Sequence, residues 1–132
     1  MGVWTILALA VLASDTKPVT SFALTNAQWW ENCPRVLTQP QMVKRGLMFQ
    51  PVEYTAPKYP DIQDPPEASV ELELRVGTDG RVLDARIVTT SDERFNEPSL
   101  TSVRTWRYKP PVVDGEATCL AISATIDYRP PS

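Results

Sequence analysis

The second half of this 132-residue chain predicts an α+β domain: a three-stranded antiparallel sheet in the order strand, strand, helix, strand, with the helix packed on one face. Three patterns carry that reading. Val70, Leu72, Leu74 and Val76 alternate with Glu71, Glu73 and Arg75, the period of two that marks a strand with one buried face. Leu100, Val103 and Trp106 recur at helical spacing, and Leu120, Ile122, Ala124, Ile126 and Tyr128 restore the alternation of a strand.

Taken in order, the chain opens on an apolar run over residues 3–13, about 17 Å long as a helix against a hydrocarbon core of about 30 Å. That length fits the apolar region of an export signal, with Val11-Leu12-Ala13 or Ser21-Phe22-Ala23 as cleavage sites, although no basic residue precedes it; a buried N-terminal helix or strand is the plainer alternative. Residues 1–23 are therefore expected to be a leader. Residues 24–56 have no convincing period, and isolated prolines at Pro34, Pro40 and Pro51 suit an extended segment lying over a domain, with a helical turn or two near Trp29-Trp30. The domain itself is expected over 57–130, and at about 75 residues it needs ties beyond its core.

Within the domain, Thr78-Asp79-Gly80-Arg81 predicts a two-residue Asp-Gly turn of type I′. With Thr78 facing Arg81, Arg75 meets Asp84, Glu73 meets Arg86, Leu72 meets Ile87 and Leu74 meets Ala85. Opposite charges then share one face and apolar groups the other, and a slip of one residue destroys both matches. A helix starts near Asn96-Glu97-Pro98 and ends at Lys109-Pro110-Pro111, with Arg104 and Arg107 projecting outward near its end. Trp106 and Tyr108 fit core packing better than an exposed stacking platform. The last strand follows Asp114-Gly115.

Composition narrows function mostly by exclusion. A net charge of −3, without a run of Lys or Arg, offers nucleic acid no field. The absence of histidine removes the commonest general base, the triads built on it and most zinc sites. Glu71 and Glu73 share a strand face, but pairing with Arg86 accounts for Glu73 better than catalysis does. Asp61, Asp64 and Glu67 lack EF-hand spacing and, with two prolines among them, form a solvated acidic loop. Neither a catalytic residue, a metal site nor a cofactor is expected, and an enzyme is a distant third among the function classes.

Tyr59-Pro60, Asp79-Gly80-Arg81-Val82, Phe95, and Trp106-Arg107-Tyr108-Lys109-Pro110 followed by Asp114-Gly115 stand in the order and spacing of the TonB C-terminal domain, the periplasmic end of the energy transducer of Gram-negative bacteria. The chain resembles that family from about Pro57 to Arg129, except after Tyr59-Pro60, where Asp61-Ile62-Gln63-Asp64-Pro65-Pro66-Glu67 replaces the usual turn. The resemblance implies protein recognition in the periplasm: the N-terminal TonB box of an outer-membrane receptor adds as an extended strand to the free edge of the last strand. It assigns partner contact to Thr118, Ala121, Ser123, Thr125 and Asp127 and to Lys58, Tyr59 and Pro60 beside them. A homodimer through sheet edges is a further expectation, as is an inner-membrane anchor in place of cleavage. The proline-rich spacer and membrane histidine of full transducers are not found in this sequence, so the competing class is a soluble envelope interaction or structural module with the same fold and no motor.

Cys33 and Cys119 are the two cysteines, and in an exported chain they are expected to pair. Cys119 alternates onto the sheet face opposite the helix, so a bridge would pin the Trp29 segment over that face; two unrelated thiols in a chain that is never exported are the alternative.

Overall fold

A computed structural model describes residues 21–31, 33–47 and 50–131. Two short helices, α1 (Asn26–Trp30) and α2 (Gln39–Lys44), flank a three-residue strand β1 (Val36–Thr38). Then come β2 (Ala68–Val76), β3 (Val82–Thr90), one 3-10 turn (Glu93–Phe95), α3 (Asn96–Val103), a two-residue pair β4 (Val112–Val113) and β5 (Glu116–Ala117), and β6 (Cys119–Tyr128). Of the expected leader, residues 1–20 lie outside the described residues. No helix among the described residues is long and apolar enough to cross a membrane.

The hairpin forms in the expected register. Arg75 pairs with Asp84, Glu73 with Arg86, Leu74 with Ala85 and Leu72 with Ile87, and Arg86 reaches Glu73 across the strands at 2.6 Å. The turn differs. Gly77 N–H donates to Arg81 O and Gly80 N–H to Gly77 O, both at 2.9 Å, and only Gly80 of the turn has positive φ, at 87°. That is a type I turn closed by a glycine bulge instead of type I′, and the register shifts between Arg75 and Val76 to absorb the extra residue. The type I′ geometry appears at the other Asp-Gly pair: Asp114 (φ 52°) and Gly115 (φ 78°) join β4 to β5.

β6 pairs antiparallel with β2 from Ala68↔Tyr128 to Val76↔Leu120. The sheet has four strands, not three, in the order β1-β6-β2-β3, because Val36–Thr38 adds parallel to β6 at Cys119, Leu120 and Ala121. Residues 24–56 are therefore more than an extended overlay. Two capping boxes, Thr25 with Gln28 and Thr38 with Gln41, start α1 and α2, each threonine side chain accepting from the N–H of the glutamine three residues on.

Phe95, Leu100 and Val103 are fully buried against Val70, Leu72, Leu74, Val76, Leu120 and Ile122 on the helix side of the sheet. α3 ends at Val103, earlier than the apolar spacing suggests. Trp106 and Tyr108 follow in extended chain yet remain core, each 5% exposed. Arg107 likewise leaves the helix and bridges Glu53 and Arg81. The Trp106 indole Nε1 donates to Thr55 O at 3.0 Å and to Ser102 Oγ at 3.2 Å.

The opposite sheet face is covered by the N-terminal segment, as the cysteine reading anticipates. Cys33 and Cys119 form a disulfide across 86 residues, their Cα atoms 5.7 Å apart. Trp29 is 5% exposed, and the Arg75 guanidinium lies 3.7 Å from the Phe22 ring centre and 5.1 Å from that of Trp29. Arg75 also donates to Leu24 O while Leu24 N–H donates to the Asp84 carboxylate, so the cross-strand charge pair doubles as the anchor for this segment. Burial lowers the Arg75 pKa, and facing Asp84 opposes that shift.

Candidate functional site

Strand β6 presents its main-chain groups to two sides. Pairing with β2 uses one side. On the other, Cys119 N–H donates to Arg35 O at 2.9 Å and Ser123 N–H to the Gln39 side-chain oxygen at 2.8 Å. Because strand groups alternate, the N–H groups of Ala121, Thr125 and Asp127 point the same way. These are the expected edge positions, and their side chains lie on the face away from α3. Ser123, Thr125 and Asp127 are exposed, and Ala121 is half-buried.

The edge is not free along its length, however, which corrects the expectation. β1 covers it through Ala121, and Gln39 takes Ser123. Among the described residues no strand pairs with that side of β6 beyond Ala121. Thr118 is no edge residue at all: it is fully buried, and its hydroxyl donates to Pro111 O at 2.6 Å. It caps the turn that brings β4 and β5 back to β6.

Lys58, Tyr59 and Pro60 sit at the far end of β6. The Tyr59 ring meets Phe95 edge-on at 5.3 Å and Tyr128 at 6.3 Å, and its hydroxyl donates to Pro66 O at 2.5 Å. Burial raises the Tyr59 pKa, with Arg94 pulling it down and Asp92 pushing it up. Tyr128 closes the cluster: its ring lies 4.7 Å from Phe95 and its hydroxyl 2.8 Å from Ser99 Oγ. The Tyr-Pro motif is thus a packing anchor that fixes residues 55–61 alongside α3. Its burial explains the ring's place in the sequence pattern, and Lys58 beside it stays exposed.

Between residues 55–61 and α3 runs an open groove of about 830 Å³, floored by Ser102 and walled by Tyr59, Pro60, Pro98 and Thr101. Sequence reasoning missed this groove and β1. The sequence signals for the N-terminal helices that went unread are the two Thr-x-x-Gln capping boxes. Arg94 holds Asp92 at 2.6 Å, and that hydrogen bond lowers the Asp92 pKa.

Little in this arrangement supports bond-making chemistry. Glu73 is engaged by Arg86, and no group of three or more metal-ligating side chains is found among the described residues. What the site offers is the outward main-chain groups of β6 at Thr125 and Asp127 and the groove beside α3.

Comparison with known proteins agrees with the fold. Residues 55–130 match the family described as Gram-negative bacterial TonB protein C-terminal. No curated protein matches the chain.

Proposed function

This chain belongs to the family of TonB protein C-terminal domains, and on that premise we propose that it binds, by strand addition to β6, an extended segment of an outer-membrane receptor or another envelope protein in energy-coupled transport. The family is a periplasmic, non-enzymatic energy-transducer domain, and the groups around β6 suit recognition, not reaction. The chain is exported in this reading, its leader lies within 1–23, and 57–130 is the binding domain.

One observation carries the proposal: the outer side of β6 already accepts a strand, since Val36–Thr38 adds to it in parallel. Beyond Ser123 the outward groups of Thr125 and Asp127 continue the same edge. Lys58 and the groove beside Tyr59 and Pro60 adjoin that end and extend the contact surface.

The test is binding of fluorescent peptides copying receptor N-terminal segments, measured by anisotropy. Thr125→Pro removes an outward N–H that the sheet does not use, so binding is lost while the fold remains. Binding that survives proline at each of Ser123, Thr125 and Asp127 in folded protein overturns the mode. A second reading, a structural envelope module without a motor, is favoured by one feature, the disulfide-tied strand over half the edge. Pull-down from envelope extract that returns soluble or cell-wall proteins and no receptor supports that reading.

A further inference from the structure

Residues 34–39 take up the first half of the edge assigned above to a partner. Five outward positions exist on β6, at 119, 121, 123, 125 and 127, and the N-terminal segment claims the first three through Arg35, β1 and Gln39. Two positions remain, whereas β6 itself runs from Cys119 to Tyr128. A partner strand that pairs along the whole of β6 therefore needs the place that β1 holds.

β1 is weakly held along its own length. Of its three residues only Leu37 is buried, at 3% exposure, and Arg35 adds surface ion pairs to Glu116 (3.2 Å) and Asp114 (3.4 Å) that contribute little. What keeps it in place is a clamp at each end. On the C-terminal side Met42 of α2 is fully buried in the core. On the N-terminal side the disulfide fastens Cys33 to Cys119, the residue at which the β6 edge begins. Eight residues lie between the clamps, too few to swing off the edge while both are closed.

Resting on the strand-addition reading, we propose that β1 is an intrachain placeholder for the partner strand, released when a dithiol reductant of the thioredoxin class opens Cys33–Cys119. The half-buried Cys33 sulfur takes the attack and the fully buried Cys119 sulfur leaves. A thiolate of the reductant bonds to Cys33 Sγ, the Cys33–Cys119 bond breaks with its electron pair going to Cys119 Sγ, and Cys119 takes a proton. The reductant's second thiol then displaces Cys33, which leaves as a thiol. Two electrons and two protons enter the domain, and the reductant becomes a disulfide. β1 lifts off β6 between two anchors that stay seated, Trp29 on the sheet face and Met42 in the core, drawing the Gln39 side chain from Ser123, and the edge opens from Cys119 to Asp127.

Amide hydrogen exchange on the full chain, oxidised and after dithiothreitol, reads the opening directly. The amides of Ala121 and Ser123 are expected to exchange at least tenfold faster on reduction, while those of Leu72 and Leu74 in β2 keep their rates. Unchanged protection at Ala121 and Ser123 overturns the gate, and so does equal loss at Leu72, which makes the bridge a prop of the whole fold. Leu37→Asp with the bridge reduced provides a second measurement. It removes the buried anchor of β1, and a fluorescein-labelled peptide of residues 34–41 is expected to bind this variant at least tenfold more tightly than the oxidised parent. Equal binding by the two overturns the placeholder role. If the edge opens and takes this peptide but no receptor peptide, the gate stands and the proposed transport function falls. If the edge stays closed while receptor peptides bind in a Thr125-dependent way, the reverse holds.

Discussion

Replacing Trp106 with alanine and with phenylalanine separates two jobs that the side chain performs. The indole is 5% exposed, lies 4.9 Å from the Tyr54 ring, and donates to Thr55 O and Ser102 Oγ. Truncation of such a side chain to alanine costs about 3 to 5 kcal/mol, against a total of about 5 to 15 kcal/mol for a native domain. At about 4 to 8 °C per kcal/mol for a domain this small, the melting temperature falls by at least about 12 °C. Trp106→Phe keeps most of the packing and loses the N–H. Its cost is smaller, about 1 kcal/mol, because Ser102 Oγ still donates to Thr55 O at 2.6 Å and that carbonyl is not stranded. The alanine variant has a local signature too. Val52 and Glu53 are tied to Arg107 by main-chain bonds of 2.7, 3.1 and 3.0 Å, and Trp106 fixes the next residues through Thr55, so limited proteolysis near Thr55 accelerates. Differential scanning calorimetry and a protease time course measure both effects. An alanine variant that melts within a few degrees of the parent refutes the core assignment and returns Trp106 to the surface as a binding platform.

Three further outcomes follow from the geometry. Gly80→Ala is expected to cost well over 1 kcal/mol, because a Cβ there runs into the Tyr108 carbonyl oxygen and φ is +87°, whereas Gly115→Ala, at φ +78° with open space around it, costs only about 1 kcal/mol; urea midpoints that coincide would contradict this. Burial pushes the Tyr108 phenol up to about 12, so the neutral form is the one the fold favours: its contribution to stability is complete below about pH 10 and is lost as pH rises towards 12. Denaturant titrations at pH 9, 10 and 11 should show that decline, and Tyr108→Phe should flatten it. Intact mass of native protein should show no alkylated cysteine before reduction and two after it, and a single free thiol in the native state would break the pairing of Cys33 with Cys119.

The parts of the fold legible in the sequence are those where two independent signals coincide. Charge and hydropathy together fixed the pairing of Glu73 with Arg86 and Leu72 with Ile87, and alternation placed Cys119 on the face that the Trp29 segment covers. A single signal misled. Apolar spacing alone ran α3 on to Trp106, but the chain turns out after Val103, and Trp106 reaches the core from extended backbone. Asp79-Gly80 reads as the turn that Asp114-Gly115 adopts, because the dipeptide does not reveal that the Tyr108 backbone presses against Gly80. β1 left no periodic trace, since three residues are too few to alternate and their partner lies some eighty residues downstream. For the site, alternation puts Thr125 and Asp127 on the edge but does not separate Thr118 from them, since Thr118 is buried beside the preceding turn, where its hydroxyl donates to Pro111 O.

The disulfide also sets how the domain carries load. Tension applied to the chain ahead of Cys33 crosses the covalent bridge straight into the first residue of β6, so everything between residues 33 and 119 is bypassed. From there it enters a ladder of nine paired residues with β2, from Val76↔Leu120 to Ala68↔Tyr128. A pull along β6 strains those bonds in parallel as shear, and a pull across it opens them one at a time. With the bridge reduced, the same tension instead runs through β1 and α2 and reaches the sheet where β2 begins, at Ala68, the opposite end of that ladder.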